Sequence, residues 1–397
     1  MATFQDRIKE VRTICAPQSQ NALINVHGEA GIGKSSLLKK AQQKLQKQKQ
    51  KPWVILINLA DIKAPDHESC RALLLEALLE QTGSNMDAFW HTQDNTGKTE
   101  IILAHLQTLA RDRPLYMFYD TTEVFLEDAE CWRWIEKSLV EPLITTDLPV
   151  TQVFAGRVPV LWRSFTARRV LQDLPLGPIE PDGDIRKIIK EAVQEQITEL
   201  AAEDLETITK LVLDFSLSHP ALSKQIATFV SHHFCKTQTL ITRDIICKQI
   251  VAPFIEQSLF EYIEEPWKQI LWWASVLERF DATILQRYLS KAAPALVENQ
   301  QDYFFSQGIG QLRRHNILEW STAEGDRLRG LIKDIVRHCL QILDPERYCR
   351  ACLAAADTFE EIAQDLLALG EQAEANLYIQ QAENYQHCAH TPLEVAA

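Results

Sequence analysis

No apolar run in this sequence approaches the roughly 20 residues that a membrane-spanning helix needs. The longest, Trp53 to Leu59 and Ile270 to Leu277, stop far short, so no bilayer span is expected. The first residues, Met1 to Arg7, lack the apolar core of a secretory signal. The nine cysteines are odd in number and scattered, which predicts reduced thiols and a cytoplasmic location. A basic excess is missing too. The formal net charge is -13, which argues against a surface built throughout to neutralise nucleic-acid phosphates, although it leaves room for a local basic patch. Glycine is scarce, at 13 of 397 residues, and no low-complexity segment occurs. What is present is the balance of a globular protein, 46% hydrophobic and 24% charged. The length exceeds one ordinary domain, so about two to four units are expected.

Along the chain, an amphipathic opening helix (Ile8, Val11, Ile14) leads into Ala22-Leu-Ile-Asn-Val-His27, an apolar run of the kind found in buried parallel strands. A Gly-rich turn follows, then a Lys- and Gln-rich helix from Ser35 to Lys51. Trp53 to Leu59, Leu115 to Tyr119 and Val150 to Ala155 are three further strand candidates, with helical patterns around Cys70 to Leu79 and Glu100 to Ala110 between them. Such alternation predicts an α/β three-layer sandwich on a parallel sheet, with ligands at the carboxyl ends of the strands. After the Pro- and Gly-rich loop Pro175 to Asp184 the strand signals stop. Helical periodicity runs from Ile185 to about Phe234 and again from Ile270 to Leu289 and Gly308 to His315. Ile317 to Trp320 and Arg327 to Arg329 then flank a turn at Ala323-Glu-Gly-Asp326, and helices followed by a hairpin suggest a winged helix. Pro345 to His387 reads as one helical hairpin broken at Gly370. The expected division is 1–184, 185–245, 246–343 and 344–397.

Three of the scarce glycines fall within six residues. Gly28-Glu29-Ala30-Gly31-Ile32-Gly33-Lys34-Ser35 fits G-x-x-x-x-G-K-[ST] in full, between an apolar strand and a helix. In that context the backbone N–H groups of the loop and of Ser36 wrap a β-phosphate, Lys34 reaches the β- and γ-phosphates, and the Ser35 hydroxyl ligates magnesium. A phosphate loop also needs an acidic residue at the end of a neighbouring strand for the magnesium, and Asp120 fits. The position after it, where many ATPases carry the glutamate that polarises water, is Thr121, so hydrolysis is expected to be slow. Glu123 reads either as the base or as a solvated or capping side chain. Arg157 ends the fourth strand beside Gly156, with a γ-phosphate sensor and a surface ion pair as its two readings. Arg163, Arg168 and Arg169 are candidates for contact with another subunit.

These residues resemble a known family, the STAND ATPases (signal-transduction ATPases with numerous domains), a branch related to AAA+ proteins. Phe4-Gln-Asp-Arg7-Ile-Lys-Glu10 is similar to the opening aromatic-x-Gly-Arg-x-x-Glu motif, and Asp120-Thr-Thr-Glu123 to an Asp-Thr-Tyr-Glu variant of the second motif. Ala155-Gly-Arg157 resembles the sensor motif, and Ser218-His-Pro220-Ala-Leu the Gly-x-Pro segment of a helical lid. The resemblance covers roughly residues 4 to 343. It implies that 185–245 is the lid, with Pro220 near adenine and ribose, that 246–343 is a winged-helix domain, and that the nucleotide is ATP or ADP; no Asn-Lys-x-Asp guanine motif occurs. It further implies a switch, closed with ADP and open with ATP, that assembles a homo-oligomer or recruits a protein partner. Three positions depart from the pattern: Asp6 and Ser218 replace glycines, and Arg329 stands where relatives carry a winged-helix histidine.

Two other functions compete. A winged helix behind an ATPase also suits a DNA-binding AAA+ initiator or transcriptional regulator, with Arg313, Arg314 and His315 on the reading helix. A small-molecule kinase is the third, with no base in evidence beyond Glu123. Other signals read as structure. Cys349-Arg-Ala-Cys352 has no second pair nearby, and His232, His233 and Cys235 have no partner motif for a metal. Trp267, Trp272 and Trp273 are expected in the core, and the basic run Lys39 to Lys51 on a solvated helix face.

Overall fold

The computed structural model describes residues 7–16, 21–62, 64, 66–83, 87–126, 128–181, 183–197, 200–298, 300–301, 303–321 and 325–390. Phe4 and Asp6 of the opening motif, and Ala323 and Glu324 of the hairpin turn, lie outside them. The chain folds as two compact units, 1–177 and 178–397.

The first unit is a parallel sheet of five strands: β1 (Ala22–His27), β2 (Trp53–Asn58), β3 (Leu115–Asp120), β4 (Val150–Gly156) and β5 (Leu171–Pro175), in the order β2-β3-β4-β1-β5. All six residues of β3 and all seven of β4 are buried, the pattern of strands covered on both faces. Helices Lys34–Gln46, His67–Gln81 and Asn95–Asp112 pack against the sheet, so the expected α/β sandwich forms. The fifth strand is an addition to the sequence reading. Leu171-Gln-Asp-Leu-Pro175 lacks an apolar run because it is an edge strand, half open to solvent, where a proline costs no ladder bond.

Register aligns the functional strand ends. Asn58 lies beside Asp120, Asp120 beside Ala155, and Gly156 beside His27. The segment leaving β4 is fixed from within the sheet. Buried Asn25 of β1 donates to the Val160 carbonyl (2.9 Å) and accepts from the Trp162 indole (3.1 Å). Buried Glu136 accepts from the Arg163 and Ser164 backbone amides at 2.7 and 2.6 Å.

The second unit is mostly helical. Three helices, Asp184–Gln194, Ala202–Ser216 and Pro220–Thr237, are followed by a helical run from Arg243 to Leu259 and by helices Trp267–Ala274, Ala282–Ala292 and Phe304–Arg314. An antiparallel hairpin of β6 (Leu318–Ser321) and β7 (Gly325–Leu328) comes next. Helix Gly330–Leu343 and the helical pair Pro345–Ala368 and Gln372–His390 complete it. Trp267 and Trp273 are buried, as expected of core residues. A β-carbon at Gly308 would come within 1.8 Å of the Trp267 ring, so glycine is what lets the helix and the indole meet. Trp273 carries the guanidinium groups of Arg347 and Arg350 over its ring at 4.4 and 4.9 Å. Among the described residues no helix is long and apolar enough to cross a membrane, and no group of three or more His, Cys, Asp or Glu side chains is placed to hold a metal ion.

Candidate functional site

The loop between β1 and helix Lys34–Gln46 turns on backbone that side chains disfavour. Gly31 and Gly33 have φ of 74° and 106°, in the left-handed region that glycine enters without strain. Gly28 is needed for another reason: a β-carbon there would stand 2.5 Å from the Leu176 carbonyl oxygen. Leu176 also donates its amide to the His27 carbonyl at 2.7 Å, so the exit of β5 is seated against the start of the loop. Glu29 and Ile32 are buried, while Ser35 and Ser36 are exposed on the first helical turn.

Lys34 is buried, and its ammonium donates to the carbonyls of Gly28 (2.8 Å) and Glu29 (2.9 Å). Burial lowers its pKa to about 8; Glu123, Asp120 and Glu29 pull it back up, and Arg157 adds to the lowering. Four of the sequence-selected side chains, Lys34, Asp120, Glu123 and Arg157, therefore share one electrostatic neighbourhood at the carboxyl ends of β1, β3 and β4.

Asp120, at the end of β3, is also buried, and its carboxylate accepts from the Thr121 amide at 3.0 Å. Thr121 has φ of 61°, a conformation that a β-branched residue adopts only when its surroundings impose it. Two bonds do so here. The Thr121 hydroxyl donates to Asn58 Oδ1 (3.0 Å), and the Thr122 amide to the Ala155 carbonyl (3.0 Å). The turn brings Glu123 back over β4, where its carboxylate accepts from the Arg157 amide (3.1 Å) and lies 3.4 Å from Arg157 Nε. Gly156 makes this approach feasible, since a β-carbon on it would meet the Thr122 hydroxyl at 2.1 Å and Glu123 Oε2 at 2.9 Å. Both readings of Arg157 thus bear on one geometry: it is ion-paired, and its partner is the candidate base.

The arrangement supplies a backbone cradle for an anion at a helix N-terminus, a buried ammonium beside it, and a hydroxyl and a carboxylate of the type that hard cations take. The residue types present fit a phosphate chain with magnesium. This is a P-loop NTPase.

Comparisons agree at that level. Residues 8–107 match the model of the KAP family P-loop domain. No curated protein matches the sequence. Among solved structures, the Walker-type ATPase of Pyrococcus abyssi is similar with a TM-score of 0.55 at 12% identity, over 84% of this chain and 95% of that one. The ORC2 protein of Aeropyrum pernix, in its ADPNP-ADP complexes, gives 0.49 at 12% identity over 86% and 95%. The ORC1 protein of the same organism, in complex with DNA, gives 0.46 at 12% over 87% and 94%. At such identities the likeness concerns fold alone, and the first of the three carries it for this P-loop NTPase.

Pro220 lies in the second unit, buried in the first turn of its helix, where a proline's missing N–H costs nothing. His219 caps that turn by accepting from the Leu222 amide at 3.3 Å. Leu217 and Ser218 before it have φ of 48° and 62°, so Ser218 adopts the left-handed backbone natural to the glycine it replaces. Sequence reading assigned no role to three contributors: Asn58, which ends β2 in line with Asp120; Thr122, named only within the second motif, whose buried hydroxyl covers Gly156; and Arg7, named only within the opening motif, whose guanidinium reaches the loop itself. For Asn58 a signal existed, a polar residue closing an apolar strand.

Proposed function

We propose that this P-loop NTPase is a nucleotide-operated regulatory switch of the STAND type, binding ATP and ADP with magnesium, hydrolysing slowly, and assembling copies of itself or recruiting a protein partner. In this reading the amides of Gly28 to Ser36 take the phosphates, Lys34 bridges the β- and γ-phosphates, Ser35 and Asp120 share the magnesium, and Pro220 meets the base or ribose. The division into ATPase, helical lid (185–245), winged helix (246–343) and terminal helical hairpin (344–397) belongs to the same proposal.

The observation that carries it is the pairing of Glu123 with Arg157. A carboxylate held by a guanidinium and a backbone amide is a poor base, which agrees with slow turnover. The same pairing gives Arg157 two alternative anionic partners, Glu123 or a γ-phosphate. A nucleotide shifts a conformational equilibrium only through such differential contacts. Assembly is supported by Leu161 and Phe165, 81% and 76% exposed on the anchored segment after β4 beside exposed Arg163, Arg168 and Arg169.

The DNA-binding alternative draws on the helix and hairpin of the second unit, where Arg314 is exposed but the neighbouring cations are engaged. Arg313 bonds to buried Asp326 at 2.5 and 2.6 Å. Arg327 pairs with Glu319 (3.0 Å), and Arg329 bonds to Asn316 (2.6 Å). His315 stacks on Tyr262. This weighs toward the protein-assembly reading.

Denaturing freshly purified protein and identifying the released nucleotide by chromatography is the first test, with sedimentation in saturating ADP or ATP the second. Released ADP and a larger species in ATP are expected. Identical sedimentation in the two nucleotides, with binding verified, would remove the switch. A salt-sensitive shift of duplex DNA at physiological ionic strength would favour the alternative.

A further inference from the structure

Arg7 is buried, and one terminal nitrogen of its guanidinium donates to two backbone carbonyls, Ile32 at 3.0 Å and Gly177 at 2.6 Å. The other terminal nitrogen faces Glu10 at 3.4 Å, and Nε has no hydrogen-bond partner. Ile32 sits between the two left-handed glycines of the phosphate loop. Gly177 is the last residue of the first unit, one position before the second begins. The neighbouring residue, Leu176, already touches the beginning of the same loop through His27 and Gly28. The loop is therefore held to the unit boundary twice, at its start by main chain and near its end by a single buried cation.

We propose that Arg7 is a positioning residue that couples the phosphate loop to the segment joining the two units. One N–H₂ group serves both carbonyls, so a displacement of the loop at Ile32 when phosphates are bound must be followed by Gly177 or cost a buried, charge-assisted bond. Such bonds are about twice as strong as neutral ones, and a buried cation left short of an acceptor is penalised further. Arg7 thereby makes the backbone at 176–181 respond to what the loop holds. The proposal rests on the reading of Gly28 to Ser36 as the phosphate site.

Hydrogen exchange on the full chain, with and without saturating ADP, tests both. In the wild type, ADP is expected to protect 28–36 and to change exchange across 176–181. In Arg7→Met, protection of 28–36 remains while the change at 176–181 falls at least about tenfold, one charge-assisted bond being worth about that factor or more. Glu10→Gln, which leaves both carbonyl bonds in place, should behave as wild type. Should Arg7→Met fail to fold, Arg7→Gln, which keeps a polar head but is two bonds too short to bring its N–H₂ group to the two carbonyls, gives the same decision. Loop protection with an undiminished response at 176–181 in the Arg7 variant would overturn the coupling alone. No protection of 28–36 in the wild type would overturn the phosphate-site reading and the coupling with it.

Discussion

The two units differ most in how they use charge. Residues 1–177 carry 21 Lys and Arg against 21 Asp and Glu, whereas residues 178–397 carry 20 against 33, so the whole net charge of -13 lies in the second. Neutral overall, the first unit gathers Lys34, Asp120, Glu123 and Arg157 at adjoining strand ends and holds Thr121 in a disfavoured backbone to do so. In the second, buried polar groups close packing contacts. The Tyr288 hydroxyl donates to the Trp273 carbonyl, the Tyr385 hydroxyl accepts from the Glu278 amide, and Ser223 meets Ser216. Chemistry is thus concentrated where charges converge, and an acidic helical unit is better suited to protein contacts than to a phosphate backbone.

The sharpest way to break this contrast is Lys34→Ala. Its ammonium bonds only to two loop carbonyls among the hydrogen bonds described, so the fold should persist while affinity for ATP and ADP falls by at least about 100-fold, the scale of charge-assisted bonds to two phosphates. Titration of a fluorescent nucleotide reads this. Undiminished binding would move the nucleotide site out of the first unit.

Next in size is Gly156→Ala, which places a methyl 2.1 Å from the Thr122 hydroxyl and 2.9 Å from Glu123. Overpacking of this kind costs about 1–3 kcal/mol and should displace Glu123 from Arg157. Adding Thr122→Ala should recover most of the loss in denaturant unfolding, because the two changes meet at one contact. Additive losses would mean that the strand end accommodates the methyl elsewhere.

For the second unit the matching change is Arg313→Ala. Asp326 is almost fully buried beside Arg313, which is itself 42% exposed. Removing one partner of a buried pair costs about 3–5 kcal/mol, and the exposure of Arg313 reduces this to about 2 kcal/mol. Urea unfolding should register that loss with no change in duplex DNA affinity. The opposite result, weaker DNA binding at unchanged stability, would restore the reading of this helix as a DNA contact.

These sites were not equally legible in the sequence. β1, β3 and β4 could be read because strands buried on both faces are continuous apolar runs, and the phosphate loop because its glycines, lysine and serine follow one at once. β5 could not, since an edge strand has no such signature. The turn at Thr121 and the pairing of Glu123 with Arg157 depend on β3 and β4 being neighbours, a fact of sheet order that no local pattern encodes. Arg7 is further out of reach: its partners lie 25 and 170 residues away and are main-chain carbonyls, which any residue type supplies.

The smallest effect expected also separates the bound from the free state of the first unit. With its pKa lowered to about 8 by burial, Lys34 loses its proton in the free protein well below the ordinary lysine value of about 10.4. Phosphate oxygens favour the charged form, so binding above pH 8 must take up a proton. Nucleotide affinity should be nearly flat below about pH 7.5 and lower by about tenfold at pH 9. Stability of the free protein has the opposite slope there, because the unfolded chain, with the higher lysine pKa, binds more protons than the folded one. Calorimetric titration at pH 8.5 in buffers of different ionisation enthalpy should reveal proton uptake in the wild type and none from this residue in Lys34→Ala. Equal enthalpies in all buffers for the wild type would mean that the ammonium keeps its proton throughout, held by Glu123 and Asp120 more strongly than burial opposes it.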